Sequence, residues 1–133
     1  MKVEGACHCG RVTFEAEIDP QQVRICHCSD CQTFASSAFR WSVHTPAQNF
    51  TLRTGTPKIY VKTAESGNRR AQAFCADCGT ALYAADAQDP KSYGLRVGTL
   101  KQRAALEPKG QIWRRSAQAW VDRLGDLPSI DRQ

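Results

Sequence analysis

The chain has 133 residues, 41% hydrophobic and 23% charged, which suits one globular domain spanning residues 1–133. No run approaches the ~20 apolar residues that a membrane-spanning helix needs. The N-terminus lacks the apolar stretch of a secretory signal, so we expect a soluble cytoplasmic protein. The net charge of +5 raises the question of nucleic acid. The basic residues are scattered, however, with only the pairs Arg69-Arg70 and Arg114-Arg115 close together. A solvated basic face is therefore favoured over nucleic-acid binding.

Short strand-like runs dominate the sequence. Residues 12–18 alternate apolar and polar side chains with period two, as a half-buried strand does, and residues 39–44 repeat the pattern. Turn-forming residues separate such runs, which is typical of an all-β or mainly β domain. The other predicted strands are residues 50–53, 58–62, 71–74, 80–84 and 93–97.

Helix is predicted at only two places. Residues 29–35 predict a short helical turn with Ser29 as its N-cap, and residues 116–124 predict two turns that end before Pro128. The apolar residues that the second helix is expected to turn toward the core are Ala119, Trp120 and Leu124. The tryptophans expected in the core, rather than on a ligand-binding surface, are Trp41, Trp113 and Trp120.

The seven cysteines fall into three groups. An odd number argues against a complete disulfide framework, and clustered cysteines in a reducing compartment usually bind metal or do redox chemistry. Two groups, C-x-C-G and C-x2-C-G, look like half-sites for a tetrahedral zinc ion. Their closing glycines, Gly10 and Gly79, let the backbone turn tightly so that amide groups point toward the sulfurs. The predicted ligands of this closed, structural zinc site are Cys7, Cys9, Cys75 and Cys78.

The remaining group, C-x-C-x2-C, supplies three thiolates and no fourth ligand. An open position is the arrangement that catalytic zinc uses to accept water or substrate. Two alternatives stay open: His27, Asp30 or His44 closes the site and makes it structural, or the thiols carry no metal and are redox-active. The ring of His27 is expected to point away from the metal, at the surface or beside the ligands, and Asp30 is expected to be an exposed turn carboxylate. The predicted ligands of the open zinc site are Cys26, Cys28 and Cys31.

The cysteine motifs resemble those of the glutathione-dependent formaldehyde-activating enzyme family, which also includes centromere protein V. The resemblance covers nearly the whole chain and implies an Mss4-like, β-rich fold with few short helices. It also implies two zinc ions per chain, divided between structural and catalytic cysteines as above. The motifs that carry it are Gly5-Ala6-Cys7-His8-Cys9-Gly10, Cys26-His27-Cys28-Ser29-Asp30-Cys31, Phe74-Cys75-Ala76-Asp77-Cys78-Gly79-Thr80, Arg96-Val97-Gly98-Thr99-Leu100 and the closing Trp120…Leu127-Pro128.

The activity implied by the resemblance joins glutathione to formaldehyde as S-hydroxymethylglutathione, which is a carbon–sulfur lyase reaction written in reverse. The expected partners are thus a thiol such as glutathione and a small aldehyde. Two residues depart from the family pattern: Ser36 stands where a glycine usually follows the open site, and Gln111 stands where a histidine is common. Both departures are expected to reshape the pocket.

Three thiolates donate strongly to zinc and make it a poor Lewis acid, which favours capture of a thiol over activation of an aldehyde. Thiols also add to formaldehyde without help, so an enzyme is recognised by its rate over the free reaction. Two other functions stay open: a non-catalytic module that binds zinc and thiols, and a zinc-stabilised interaction domain.

Overall fold

The computed structural model describes all 133 residues, and strands make up most of its regular structure. The strands are β1 (Lys2–Ala6), β2 (Thr13–Glu17), β3 (Val23–Cys26), β4 (Arg40–Pro46), β5 (Phe50–Thr54), β6 (Lys58–Thr63), β7 (Arg69–Phe74), β8 (Ala81–Asp86), β9 (Ser92–Arg96) and β10 (Gly110–Ile112). The α-helix is α1 (Ser29–Ala35), and the 3-10 helices are Pro20–Gln22, Ala47–Asn49, Val97–Thr99, Arg103–Ala105, Arg114–Ser116 and Val121–Asp126. The expected β-rich fold with few short helices is confirmed. None of the helices has the length and apolar character to cross a bilayer.

The strands form two sheets. The smaller sheet has the order β1-β2-β5, and the larger has the order β10-β3-β4-β9-β8-β7-β6. Neighbouring strands are antiparallel throughout, except that β10 runs parallel to β3. The edge of the larger sheet next to β3 is therefore formed by a segment from late in the chain.

The hydrophobic core draws on one face of each sheet. On β2, Phe14 and Ala16 are buried while the residues between them face outward, as the period-two pattern predicts. Gly5 lies opposite Phe14 in the register, and a Cβ there would stand 2.1 Å from the ring, so this position must be glycine. The best-buried core side chains include Val3, Phe14, Val23, Val43, Leu82, Leu95, Val97, Leu100 and Leu106. The other face of the larger sheet does not belong to this core and is available for a functional site.

All seven predicted strands form, with ends shifted by one or two residues. The three strands outside the predicted set, β1, β3 and β10, are short, at five, four and three residues. Such short runs are too brief for alternation to stand out. β3 becomes a strand by pairing with β4, and β10 by pairing with β3 alone.

The first predicted helix is confirmed as α1, but its N-cap is Cys28 and not Ser29. Cys28 has extended backbone angles, and its sulfur accepts a hydrogen bond from the amide of Cys31 at 3.4 Å. A cysteine therefore takes the capping role that sequence statistics give to serine. Because the same sulfur is a predicted metal ligand, the start of α1 and the cysteine cluster are built together.

The second predicted helix is wrong. No α-helix forms there, 3-10 helices overlap only its two ends, and Ala119, Trp120 and Leu124 are exposed instead of packed in the core. A short helix in water needs to bury its apolar face, and here Trp120 and Leu124 stay 46% and 47% exposed. The extended backbone at Leu127 ends the last turn where Pro128 predicted it.

The tryptophans also differ from their expected burial. Trp41 packs against the core and its indole N–H donates to the carbonyl of Leu106 at 3.1 Å, as predicted. Trp113 and Trp120 are each 46% exposed, so the expectation that they lie in the core is wrong. Trp113 instead lines the cleft that contains Cys26, Cys28 and Cys31.

Ser36 follows α1 in the left-handed backbone region, with φ of 48°. A residue with a side chain is destabilised there by roughly 1–2 kcal/mol, which glycine would avoid. Glycine has more conformational freedom in the unfolded chain, and this offsets about 0.5–1 kcal/mol of the gain. Ser36→Gly is therefore expected to raise the free energy of unfolding by about 0.5–1 kcal/mol, measured by urea denaturation. Ser37→Gly is the matched control, because Ser37 has a negative φ and should lose stability. Equal effects of the two changes would contradict the prediction.

Candidate metal centres and the adjoining cleft

The four cysteines predicted to form the closed site come together. The sulfurs of Cys7 and Cys9 are 3.5 Å apart, those of Cys9 and Cys75 are 3.7 Å apart, and all four, with Cys78, lie within 4.8 Å of one another. A tetrahedron of sulfurs with Zn–S bonds of ~2.3 Å has edges of ~3.8 Å, whereas a disulfide is ~2.05 Å long. The donor set and its spacing therefore fit a tetrahedral zinc ion, and no disulfide is present.

Tight turns bring these sulfurs together, as the sequence predicts. Gly10 and Gly79 both have positive φ, at 79° and 75°. The amide of Val12 donates to the sulfur of Cys7 at 3.3 Å, so a backbone N–H does point at a predicted ligand. The cluster links the end of β1 in the smaller sheet to the β7–β8 turn in the larger one.

A side-chain hydroxyl supports the thiolate form at this cluster. The oxygen of Thr80 lies 3.2 Å from the sulfur of Cys78 and lowers the pKa of that thiol to about 5. The same oxygen accepts the amide of His8 at 3.1 Å, which fixes its position. A thiolate is the form that binds a metal ion.

The three cysteines predicted to form the open site also come together. Cys26 ends β3, Cys28 caps α1 and Cys31 lies in its first turn, and their sulfurs lie within 4.8 Å of one another. A hydrogen bond from the thiol of Cys31 lowers the pKa of Cys26 to about 5, and the same partnership raises the pKa of Cys31. Three thiolate donors at this spacing fit zinc and leave room for one further ligand.

None of the three residues considered as a fourth ligand belongs to this sulfur cluster. Asp30 pairs with Lys62 and is 56% exposed, as its role of turn carboxylate predicts. His44 lines the cleft beside the cluster. His27 is fully buried, so the expectation that it lies at the surface is wrong, while its alternative place beside the ligands agrees with the structure.

The ring of His27 is held by one of the residues that depart from the family pattern. Its Nε2 lies 2.8 Å from Oε1 of Gln111, and its backbone amide donates to the carbonyl of Ile112 at 3.1 Å. Since a carboxamide oxygen only accepts, Nε2 carries the hydrogen. Gln111 thereby joins β10 to the connection between Cys26 at the end of β3 and Cys28 at the start of α1.

Gln111→Leu is expected to lower the free energy of unfolding by about 1–3 kcal/mol, because it leaves a buried imidazole N–H without an acceptor. Gln111→Glu is the matched control, since it keeps an oxygen at the same distance and should stay near the stability of the native chain. Chemical denaturation of both variants tests this. A loss of equal size in the two variants would show that the acceptor is not the cause.

A cleft of about 250 Å³ adjoins the three-cysteine cluster. Its floor is the face of the larger sheet that turns away from the core, and α1 covers it. The helix is tied to β6 by the ion pair of Asp30 with Lys62 and by contact of Phe34 with Tyr60, whose ring centroids are 6.0 Å apart. The cysteine cluster thus opens into a partly covered cleft.

Cations dominate the lining of this cleft. The strand register places these cations on one face of the larger sheet. Arg40 lies opposite Cys26, Arg96 lies opposite a buried serine of β4, and Lys62 lies opposite Arg70. All four cations line the cleft, where Asp30 is the single carboxylate. The sequence reasoning missed this group, although the alternation of residues 39–44 puts Arg40 on the face opposite the core.

His44 is the one imidazole in the lining. Its ring lies over Gly94, where a Cβ would stand 3.1 Å from Cε1 of the histidine. Partial shielding from water lowers the pKa of His44, and the positive charges of Arg40, Arg70 and Arg96 lower it further. His44 is therefore a neutral proton acceptor near pH 7.

This chain is similar to a protein family, to a curated protein and to a solved structure. A family model described as glutathione-dependent formaldehyde-activating enzyme matches residues 2–116. A Schizosaccharomyces pombe protein named as an uncharacterized lyase is 26% identical over 98 residues, which cover 74% of this chain and 68% of the yeast protein. The crystal structure of a Rhodobacter sphaeroides protein shares the fold, with a TM-score of 0.62 at 22% identity over 81% of this chain and 98% of that one.

Proposed function

Because this chain belongs to the family of glutathione-dependent formaldehyde-activating enzymes, we propose that it is a zinc-dependent carbon–sulfur lyase acting on adducts of a thiol and an aldehyde. The observation that carries the proposal is the three-sulfur cluster in the lining of a cleft, separate from a four-sulfur cluster that has all its ligands. The lyase name of the yeast relative supports the same class of reaction.

The two clusters take different roles in this proposal. Cys7, Cys9, Cys75 and Cys78 hold a structural zinc ion, and Cys26, Cys28 and Cys31 hold a catalytic one. When bound at the three-cysteine cluster, zinc supplies an open coordination position that favours the thiolate form of a substrate thiol. Residues 1–133 act as one domain.

The reaction needs a proton to move as the bond forms. The substrate sulfur, having lost its proton, attacks the aldehyde carbon and forms the S–C bond, while the electron pair of the C=O bond moves to oxygen. His44, neutral near pH 7, accepts the thiol proton at its imidazole nitrogen and returns it to that oxygen as the hydroxyl forms. The lyase direction reverses these steps. Atoms and charge balance without an oxidant or reductant.

The cleft lining supports this chemistry by shielding the cysteines from part of the solvent and by offsetting charge. α1 covers the floor, and Ile112 and Trp113 line the cleft beside the cysteines. The cations of the lining compensate the negative charge that a fourth thiolate would bring. We propose glutathione or a similar thiol and a small aldehyde as partners, in the reducing cytoplasm that thiolate ligands require.

The test is a rate compared with the uncatalysed reaction. Exchange between formaldehyde and S-hydroxymethylglutathione is measured by NMR at fixed pH, with zinc-loaded protein and with buffer at the same thiol concentration. We expect an enhancement of at least ~100-fold, typical of one positioned proton-transfer group. Native mass spectrometry of the same sample should count two zinc ions. Saturable thiol binding with no enhancement would reject the lyase and leave a thiol-binding module.

A further inference from the structure

Arg96 is a buried cation with a donor that no group of the chain satisfies. It is 9% exposed, and its Nη2 donates to Oε1 of Gln72 at 2.8 Å. Its Nη1 is buried and has no hydrogen-bond partner. Burying a charged donor without a partner costs several kcal/mol, so this nitrogen requires a partner from outside the chain, such as water, an ion or a ligand.

Two further arginines stand beside it without carboxylate partners. Arg40 also has a buried and unpartnered nitrogen, Nε, and Arg70 lines the same cleft. No ion pair of the structure includes Arg40, Arg70 or Arg96. Burial, followed by repulsion from Arg40, lowers the pKa of Arg96 to about 10, so it stays charged at neutral pH.

The negative charge of the cysteine cluster does not neutralise all of this positive charge. Three thiolates with one divalent ion carry one negative charge. Four cations and the single carboxylate of Asp30 carry three positive charges, so the cleft keeps two positive charges in excess. Uncompensated cations that line one cleft repel each other, so their concentration there is unfavourable unless an anion binds. This arrangement is typical of an anion-binding site.

We propose that Arg96, with Arg40 and Arg70, forms a subsite for a carboxylate group, so that the substrate carries a carboxylate a few bonds from its reacting sulfur or carbon. This inference rests on the proposed function for the identity of the reacting atoms. Guanidinium groups match the geometry of a carboxylate with two parallel hydrogen bonds, and Arg96 has Nη1 available for one of them.

The size of the cleft favours a short molecule. Its volume of about 250 Å³ lies below the ~300–1,000 Å³ of sites that enclose drug-sized ligands. A small mercapto acid or a small oxo acid fits the space entirely, and a larger thiol enters with one end. The carboxylate therefore comes either from the thiol or from the aldehyde.

Isothermal titration calorimetry of the zinc-loaded protein tests both sources. For the thiol, 3-mercaptopropionate is compared with its neutral counterpart 3-mercaptopropan-1-ol. For the aldehyde, glycolate, which mimics a hydrated oxo acid, is compared with ethylene glycol. In at least one pair the carboxylate should bind ~10- to 100-fold more tightly, the range expected for hydrogen bonds to a charged group. The pair that shows the preference identifies the source, and no preference in either pair overturns the proposal.

Arg96→Gln should abolish the preference while leaving the neutral compound bound as before. Arg53→Gln is the matched control, because Arg53 pairs with Glu15 on the smaller sheet and should keep the preference. If Arg96→Gln fails to fold by circular dichroism, the half-buried Arg70→Gln replaces it and should reduce the preference several-fold. A preference unchanged in the folded variant overturns the proposal.

The binding readout separates this inference from the proposed function. A carboxylate preference without rate enhancement would keep the subsite and reject the lyase. Rate enhancement with formaldehyde and no carboxylate preference would keep the lyase and reject the subsite.

Discussion

Cys75→Ser is expected to abolish the cooperative thermal unfolding transition, or to lower its midpoint by at least ~15 °C. Cys75 is 1% exposed, belongs to the hydrophobic core and shares its sulfur cluster with Cys7, Cys9 and Cys78. Structural zinc contributes ~10–16 kcal/mol to folding in zinc-finger peptides, which is comparable to the ~5–15 kcal/mol stability of a whole domain. Differential scanning calorimetry, with a metal count on the same sample, measures the effect.

A matched control separates loss of the metal from the burial of a hydroxyl. Ala73→Ser introduces the same hydroxyl two residues earlier in β7, at a position that is 2% exposed. It should cost only about 1–3 kcal/mol and leave two zinc ions bound. If Cys75→Ser stays within a few degrees of Ala73→Ser, the four-cysteine cluster is not a structural metal site.

Cys28→Ser is expected to reduce the rate of adduct exchange to that of buffer while the protein stays folded. Removing one of three thiolates should release the second zinc ion, so native mass spectrometry should count one ion in place of two. The fold should survive because serine is a favoured N-cap, and its oxygen can accept the amide of Cys31 as the cysteine sulfur does. Exchange NMR and the thermal midpoint are measured on the same preparation. Turnover equal to that of the native chain would reject the role of this cluster.

Cys28→Ala distinguishes the metal from the helix cap. It removes the same ligand and also the capping acceptor, so it should be less stable than Cys28→Ser by about 0.5–2 kcal/mol. Both variants should be equally inactive. If Cys28→Ser itself unfolds, the second cluster is structural, and the division of roles between the clusters is wrong.

The parts of the fold that sequence could predict depend on local patterns. The alternation of residues 12–18 and 39–44 found β2 and β4, because one buried face imposes period two on the chain. The spacing of the cysteines, with Gly10 and Gly79 at the turns, grouped the sulfurs as the structure does. Each of these signals lies within a few residues.

What sequence could not predict depends on pairing between distant segments. β10 forms only against β3, some eighty residues earlier, so its three residues carry no strand signal of their own. The burial of His27 follows from this pairing, through Gln111. Arg96 becomes part of a site only when β9 is placed beside β4 and its side chain turns away from the core.

The helical expectation for residues 116–124 failed for a related reason. Alanine, tryptophan and leucine at helical spacing favour a helix only if an apolar surface receives them, and here Trp120 and Leu124 face solvent. The short α1 forms because the cap at Cys28 and the contact of Phe34 with Tyr60 hold both its ends.

The four-cysteine cluster joins residues that are 66 positions apart and lie against different sheets. We therefore expect metal binding at this cluster to be coupled to the docking of the two sheets, and the coupling to be reciprocal. A substitution that weakens the contact between the sheets, far from any sulfur, should make the free energy of zinc binding less favourable, by at most the folding free energy that it removes. Zinc affinity at this cluster would thus report quantitatively on the stability of the contact between the two sheets.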